Sequence, residues 1–191
     1  MKVVFDVDDT LWSLNGKVCE RLGIDPSTMC SFVIEDNPNL TKELQDAVHR
    51  EYRSSSNFMD IKWFDGVMDI LKLVNRGVDV HINSNSCSER IAELKTVQLD
   101  ELLHLPKEQL RMNVMTHATC TKKKMDDDVD IFVDDSPYNI KNSTAKINFM
   151  IRAPWNTTAS AMKLIEGKNV VFCDDLNEVM SRIFDYIENV A

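Results

Sequence analysis

The chain has 191 residues, 43% of them apolar, and a formal net charge of −9. That suffices for one substantial α/β core plus a small accessory module, and the acidic balance argues against nucleic-acid duplexes, whose phosphate backbones call for a basic surface. No apolar run reaches the length of a membrane span and no targeting pattern opens the chain, so a cytoplasmic protein with no membrane partner is expected.

The first expected strand, Lys2 to Asp8, ends in Asp6, Asp8 and Asp9 with Thr10 behind them. Like charges so close repel, and a bound divalent cation would relieve them. Asp6 and Asp8 stand two apart on an extended chain, so one could attack a substrate while the other, displaced by a turn, handles a proton. The plainer alternative is an acidic strand-to-loop junction in which Asp9 and Thr10 cap a turn. The following segment, 13–63, is too long for a simple crossover. Within it Leu40, Leu44, Ala47, Val48, Glu51 and Tyr52 fit a helix, and a small helical cap over the active site is expected, of the kind that excludes water and selects substrates. Trp12, Phe32, Phe58, Trp63 and Phe64 flank or lie in it, either as its own core or as faces on which a nucleobase stacks.

Helical spacing resumes at Val67, Ile70, Leu71 and Val74, before a second strand at Val78 to Asn83. Ser84 and Asn85 follow. Ser86-Cys87-Ser88-Glu89 then has the form of a capping box, with Ser86 as the cap, and a helix N-terminus at this place favours an anion. Arg111 to Thr116 is a third strand, and Lys122, Lys123 and Lys124 follow. The fourth strand, Asp130 to Asp134, ends like the first, in Asp134-Asp135-Ser136-Pro137. Alone this doublet could be an N-cap before Pro137. In a parallel sheet, however, strand C-terminal ends gather at one edge, and two acidic ends meeting there make an oxygen-rich site suited to Mg2+. Ile147 to Ile151 is a fifth strand and Asn169 to Cys173 adds one at the edge. The last helix carries Leu176, Val179, Met180, Ile183, Phe184 and Ile187, with Asp175 at the N-cap and Glu178 three residues on. Strands alternating with helices imply a three-layer αβα, doubly wound parallel sheet. Five scattered cysteines (Cys19, Cys30, Cys87, Cys120, Cys173) show no CxxC pair or disulfide spacing, which fits reduced thiols.

Taken in order, Asp6-Val7-Asp8-Asp9-Thr10, the serine after Val80-His81-Ile82-Asn83, the lysines at 122–124 and Asp134-Asp135 resemble the four motifs of the haloacid dehalogenase-like phosphohydrolases. Phe64-Asp65-Gly66-Val67, Asp134-Asp135-Ser136-Pro137-Tyr138-Asn139 and Arg152-Ala153-Pro154-Trp155-Asn156 resemble the 5'(3')-deoxyribonucleotidase group within that superfamily. The resemblance implies a Rossmannoid core over residues 1–12 and 64–191, with residues 13–63 as the cap. It implies Asp6 as the nucleophile that forms an aspartyl-phosphate and Asp8 as general acid, then base. Mg2+ would be held by Asp6, Asp134 and the carbonyl of Asp8, with Asp135 nearby through water. Ser84 would donate to a phosphoryl oxygen, helped around Asn85. The catalytic lysine would be Lys122, first residue of a short helix, although Lys123 and Lys124 fall in the same range and are expected to bind substrate; among the aromatics flanking the cap, Trp12 is expected to do so too. The expected activity is Mg2+-dependent hydrolysis of nucleoside monophosphates, deoxyribonucleotides preferred, with a homodimer as a compatible assembly. The alternatives are a magnesium-dependent phosphatase acting on another small molecule or a phosphoprotein, a phosphomutase-like transferase, and a phosphate-binding protein without turnover.

Overall fold

The computed structural model describes residues 1–114 and 128–190. Six short apolar runs form strands: β1 (Lys2–Phe5), β2 (Asp79–Ser86), β3 (Leu110–Val114), β4 (Ile131–Val133), β5 (Ile147–Ile151) and β6 (Val170–Cys173). They make one parallel sheet in the order β3-β2-β1-β4-β5-β6. In β1 and β4 all the apolar residues are buried, as central strands covered by helices on both faces must be. The chain moves outward through β2 and β3 and then crosses to β4, so the topological switch point lies between β1 and β4. Open α/β sheets bind ligands outside such a point.

The helices are α1 (Leu14–Leu22), α2 (Lys42–Tyr52), α3 (Asp69–Asn75), α4 (Glu89–Leu103), α5 (Pro137–Asn142), α6 (Ala159–Leu164) and α7 (Leu176–Val190). Successive strand residues face opposite sides. Val3, Phe5, Ile131 and Val133 therefore pack with Ile70 and Leu73 of α3, Ile91 and Leu99 of α4, and Val179 and Ile183 of α7. Val4, Phe132 and Met150 form a second cluster with Ile140 of α5 and Ile165 just after α6. This is the expected three-layer α/β architecture. Close approach of the α3 and α7 segments depends on Gly66, where φ is +91° and a Cβ would lie 2.7 Å from Asn177 Oδ1.

The segment between β1 and α3 holds α1, capped by Ser13, and α2, capped by Thr41, joined through single 3-10 turns. Its Leu14, Val18, Met29, Ile34, Leu40, Val48 and Phe58 belong to the same apolar cluster as one sheet face. Among the described residues no helix is long and apolar enough to cross a membrane.

Two strand ends lie three residues from expectation. β1 stops at Phe5 instead of Asp8, because the Val7 carbonyl accepts from the amides of Thr10, Leu11 and Trp12 and turns the chain. β2 runs past Asn83 to Ser86, because β3 pairs with it as far as Ser86 opposite Val114, so Ser84 and Asn85 are strand residues. The cap of α4 is accordingly Ser88, which accepts from the Ile91 amide, and Ser86 is buried in the sheet.

Candidate active site

The register of β1 against β4 sets Phe5 opposite Val133, so the residues that follow, Asp6 and Asp134, emerge side by side. The Asp6 amide continues the ladder by donating to the Val133 carbonyl at 2.9 Å. Ligand oxygens of Asp6, Asp134 and Asp135 all lie within 4.8 Å of one another, and all three residues are buried. The Asp134 carboxylate accepts from the Ser136 amide at 2.8 Å and from Asn139 Nδ2 at 3.0 Å, both at the start of α5. Asp135 Oδ2 accepts from Trp155 Nε1 at 2.8 Å, and Asn156 Nδ2 donates to the Asp135 carbonyl at 3.1 Å. Burial, and then the negative charges of Asp9, Asp134 and Asp6, hold the Asp135 carboxyl well above the usual carboxylate range. A hard cation would relieve this repulsion, and the donor set of clustered carboxylates braced by N–H donors fits one of the Mg2+ kind.

Asp8 stands apart from that trio. The turn at Val7 points its carboxylate elsewhere: Oδ1 accepts from Trp12 Nε1 at 2.9 Å and Oδ2 from Lys95 Nζ at 2.5 Å. Lys95 is 1% exposed and also donates to the Asn85 carbonyl at 2.7 Å and Ser84 Oγ at 3.2 Å. Burial raises the Asp8 carboxyl, Lys95 opposes that, and Asp6 adds to it. Asp9, in the left-handed region at φ 56°, is tied to Asn15 by the backbone amide and Nδ2, and burial lifts it to about 8. Tyr52, last residue of α2, donates to Asn15 Oδ1, which ties α2 through Asn15 to this loop. Thr10 Oγ1, Asn85 Oδ1 and Ser86 Oγ are buried with no hydrogen-bond partner among the described residues. Such atoms at converging strand ends suit a polar ligand.

Of the residues singled out from the sequence, the structure thus brings Asp6, Asp134 and Asp135 into one cluster, and Asp8, Ser84 and Asn85 into a second arrangement around Lys95. Lys122, Lys123 and Lys124 lie outside the described residues. Trp12, expected to touch substrate, lies inward: the indole is 1% exposed, its N–H is taken by Asp8, and Phe58 packs on it edge-on at 5.4 Å. The exposed aromatics are instead Phe32, from the insertion, and Tyr138, three residues after Asp135, with ring centroids 5.6 Å apart. Lys95 was missed. Its signal lay in the helix pattern, because Ile91, Ala92, Lys95, Leu99 and Leu103 form the buried face of α4, and a lysine on such a stripe needs a buried partner.

No family model matches the chain and no curated protein matches it. Among solved structures, a haloacid dehalogenase-like family hydrolase from Streptococcus pneumoniae superposes with a TM-score of 0.60 over 97% of both chains, at 12% identity. The fold is haloacid dehalogenase-like. A family IA hydrolase of this kind from Entamoeba histolytica gives 0.56 over 98% of this chain and 99% of its own, at 17% identity. A candidate beta-phosphoglucomutase from Bacteroides vulgatus gives 0.54 over 98% and 88%, at 12% identity. At these identities the likeness is one of haloacid dehalogenase-like fold.

Proposed function

We propose that this chain is a Mg2+-dependent phosphomonoesterase that hydrolyses nucleoside monophosphates, deoxyribonucleotides above all, through an aspartyl-phosphate. The observation that carries the reading is the pairing at one sheet edge of three buried carboxylates within 4.8 Å with a fourth, Asp8, held separately by a buried lysine. A module that only bound phosphate would have no use for Asp8.

Asp6, Asp134 and the Asp8 carbonyl would hold the ion, with Asp135 behind them. When bound, Mg2+ supplies the positive charge that lets an anionic carboxylate approach an anionic phosphate. The Asp6 carboxylate attacks phosphorus, the ester P–O bond breaks, and the leaving oxygen takes the proton of Asp8. Asp8, now a carboxylate, takes a proton from water as the water oxygen attacks the phosphorus. The bond to Asp6 breaks, and inorganic phosphate and the Asp6 carboxylate are left. Ser84, whose hydroxyl proton makes only a long 3.4 Å contact with the Asn85 carbonyl, donates to a phosphoryl oxygen. Lys122, or Lys123 or Lys124 in its place, would supply the cation that the phosphate needs.

The nucleotide is supported by the resemblance of Arg152-Ala153-Pro154-Trp155-Asn156 to the deoxyribonucleotidase group and by the exposed Phe32 and Tyr138 rings, with 13–63 acting as a cap. The test is phosphate release from nucleoside 5'- and 3'-monophosphates, sugar phosphates and a phosphotyrosine peptide, with Mg2+ and with EDTA. Mg2+-dependent release from deoxynucleotides is expected. Activity confined to other esters would keep the chemistry and discard the nucleotide, and phosphate arriving on a second hydroxyl would mean a transferase. No release from any ester would leave a phosphate-binding protein.

A further inference from the structure

Lys95 raises a question of supply and demand in protons. An ammonium has three N–H donors and no acceptor. The three bonds of Lys95 Nζ go to Asp8 Oδ2 at 2.5 Å, the Asn85 carbonyl at 2.7 Å and Ser84 Oγ at 3.2 Å. The Phe58 ring covers the ammonium, its centroid 5.3 Å from Nζ. Every proton is spoken for by the protein, so none is left for a phosphoryl oxygen. Meanwhile the other oxygen of Asp8 is taken by Trp12 Nε1, the single polar group of a buried indole that sits edge-on to the same Phe58. Lys95 comes from α4 and Trp12 from the turn after β1, so the carboxyl is gripped from two separate elements, one donor on each oxygen.

We propose that Lys95 and Trp12 are positioning residues that act through Asp8: together they clamp its carboxyl in the orientation for proton exchange with the leaving oxygen, and Lys95 does not hold the phosphoryl group. The inference rests on the reading of Asp8 as acid and base given above. A carboxyl has two torsions, and a rotation that moves its proton by about 1 Å costs on the order of a hundredfold in rate. Removing either donor frees one oxygen.

The test compares Lys95→Met and Trp12→Phe, the second keeping a ring against Phe58, on two esters. One is a nucleoside monophosphate, whose alkoxide must be protonated as it leaves. The other is 2,4-dinitrophenyl phosphate, whose phenolate departs unprotonated. Both variants are expected to lose about a hundredfold in kcat/KM on the nucleotide, within the range a general acid supplies, with a loss at least tenfold smaller on the dinitrophenyl ester. The inhibition constant of inorganic phosphate should stay within threefold of the unaltered protein. Equal losses on the two esters, or a tenfold rise in that constant for Lys95→Met, would overturn the inference while leaving the phosphatase reading intact. If the unaltered chain hydrolyses neither ester, both fall. Should Lys95→Met unfold, Lys95→Arg, which keeps the charge but cannot present three protons from one nitrogen, reads the same difference between esters.

Discussion

Asp6 and Asp8 are two residues apart, yet they meet different neighbours, and their proposed roles follow from that. Asp6 faces the carboxylates of Asp134 and Asp135, whereas Asp8 faces Lys95 and Trp12. Asp6→Asn is expected to abolish turnover and the acid-stable phosphorylated protein that labelled substrate would otherwise leave. Full activity in that variant would remove the covalent mechanism. Trp155 acts one step further out, because its N–H orients Asp135 at 2.8 Å. Trp155→Phe should weaken Mg2+ by about 10- to 100-fold, the usual effect of losing a group that orients a ligand, and the Mg2+ dependence of phosphate release measures it. The strand-end carboxylates were legible from the sequence because β-strand runs and acidic residues are local features. The pairing of Lys95 with Asp8 was not, since the two lie 87 positions apart in the chain and only the packing of α4 on β2 brings them together.

At the level of elements, two aromatic contacts of the segment between β1 and α3 differ in their exposure. Phe58 is sealed between Trp12 and Lys95, and its carbonyl accepts from Gln98 of α4. Phe32 and Tyr138 meet in the open, 42% and 36% exposed. Truncating a buried phenylalanine typically costs about 3 to 5 kcal/mol. Phe58→Ala is therefore expected to destabilise the whole fold in denaturant unfolding. Phe32→Ala and Tyr138→Ala should leave stability within about 0.5 kcal/mol, as surface changes do, while raising KM for nucleotides more than for a small sugar phosphate. A uniform change across esters would remove these rings from substrate selection. The α2 helix was readable from its apolar spacing. Which aromatics of the insertion are core and which are exposed was not, because the period of a helix says that a face is buried without saying against what.

For the molecule as a whole, the acidic cluster couples folding to protons and metal. Asp135 is held well above the carboxylate range and Asp9 lies at about 8, so both take up protons on folding. A raised folded pKa gives stability that is present at low pH and lost as pH rises through it. The carboxylates pulled downward, Asp25, Glu35, Asp130 and Glu178, act with the opposite sign but only in strong acid. In EDTA, Tm should therefore fall between pH 5 and about 8, and Mg2+ should restore it most at the upper end by binding the folded state alone. A flat profile, or no response to Mg2+, would count against a cation at Asp6, Asp134 and Asp135. By itself the sequence determined the parallel α/β class, the acidic strand ends and the long segment that follows the first strand, because each is written in residues a few positions apart, as alternation, spacing and charge. Only the tertiary structure decided that Lys95 pairs with Asp8, that Trp12 faces inward and that Trp155 braces Asp135. Those contacts join residues from separate elements, and their identity depends on strand order, register and the depth at which each helix packs.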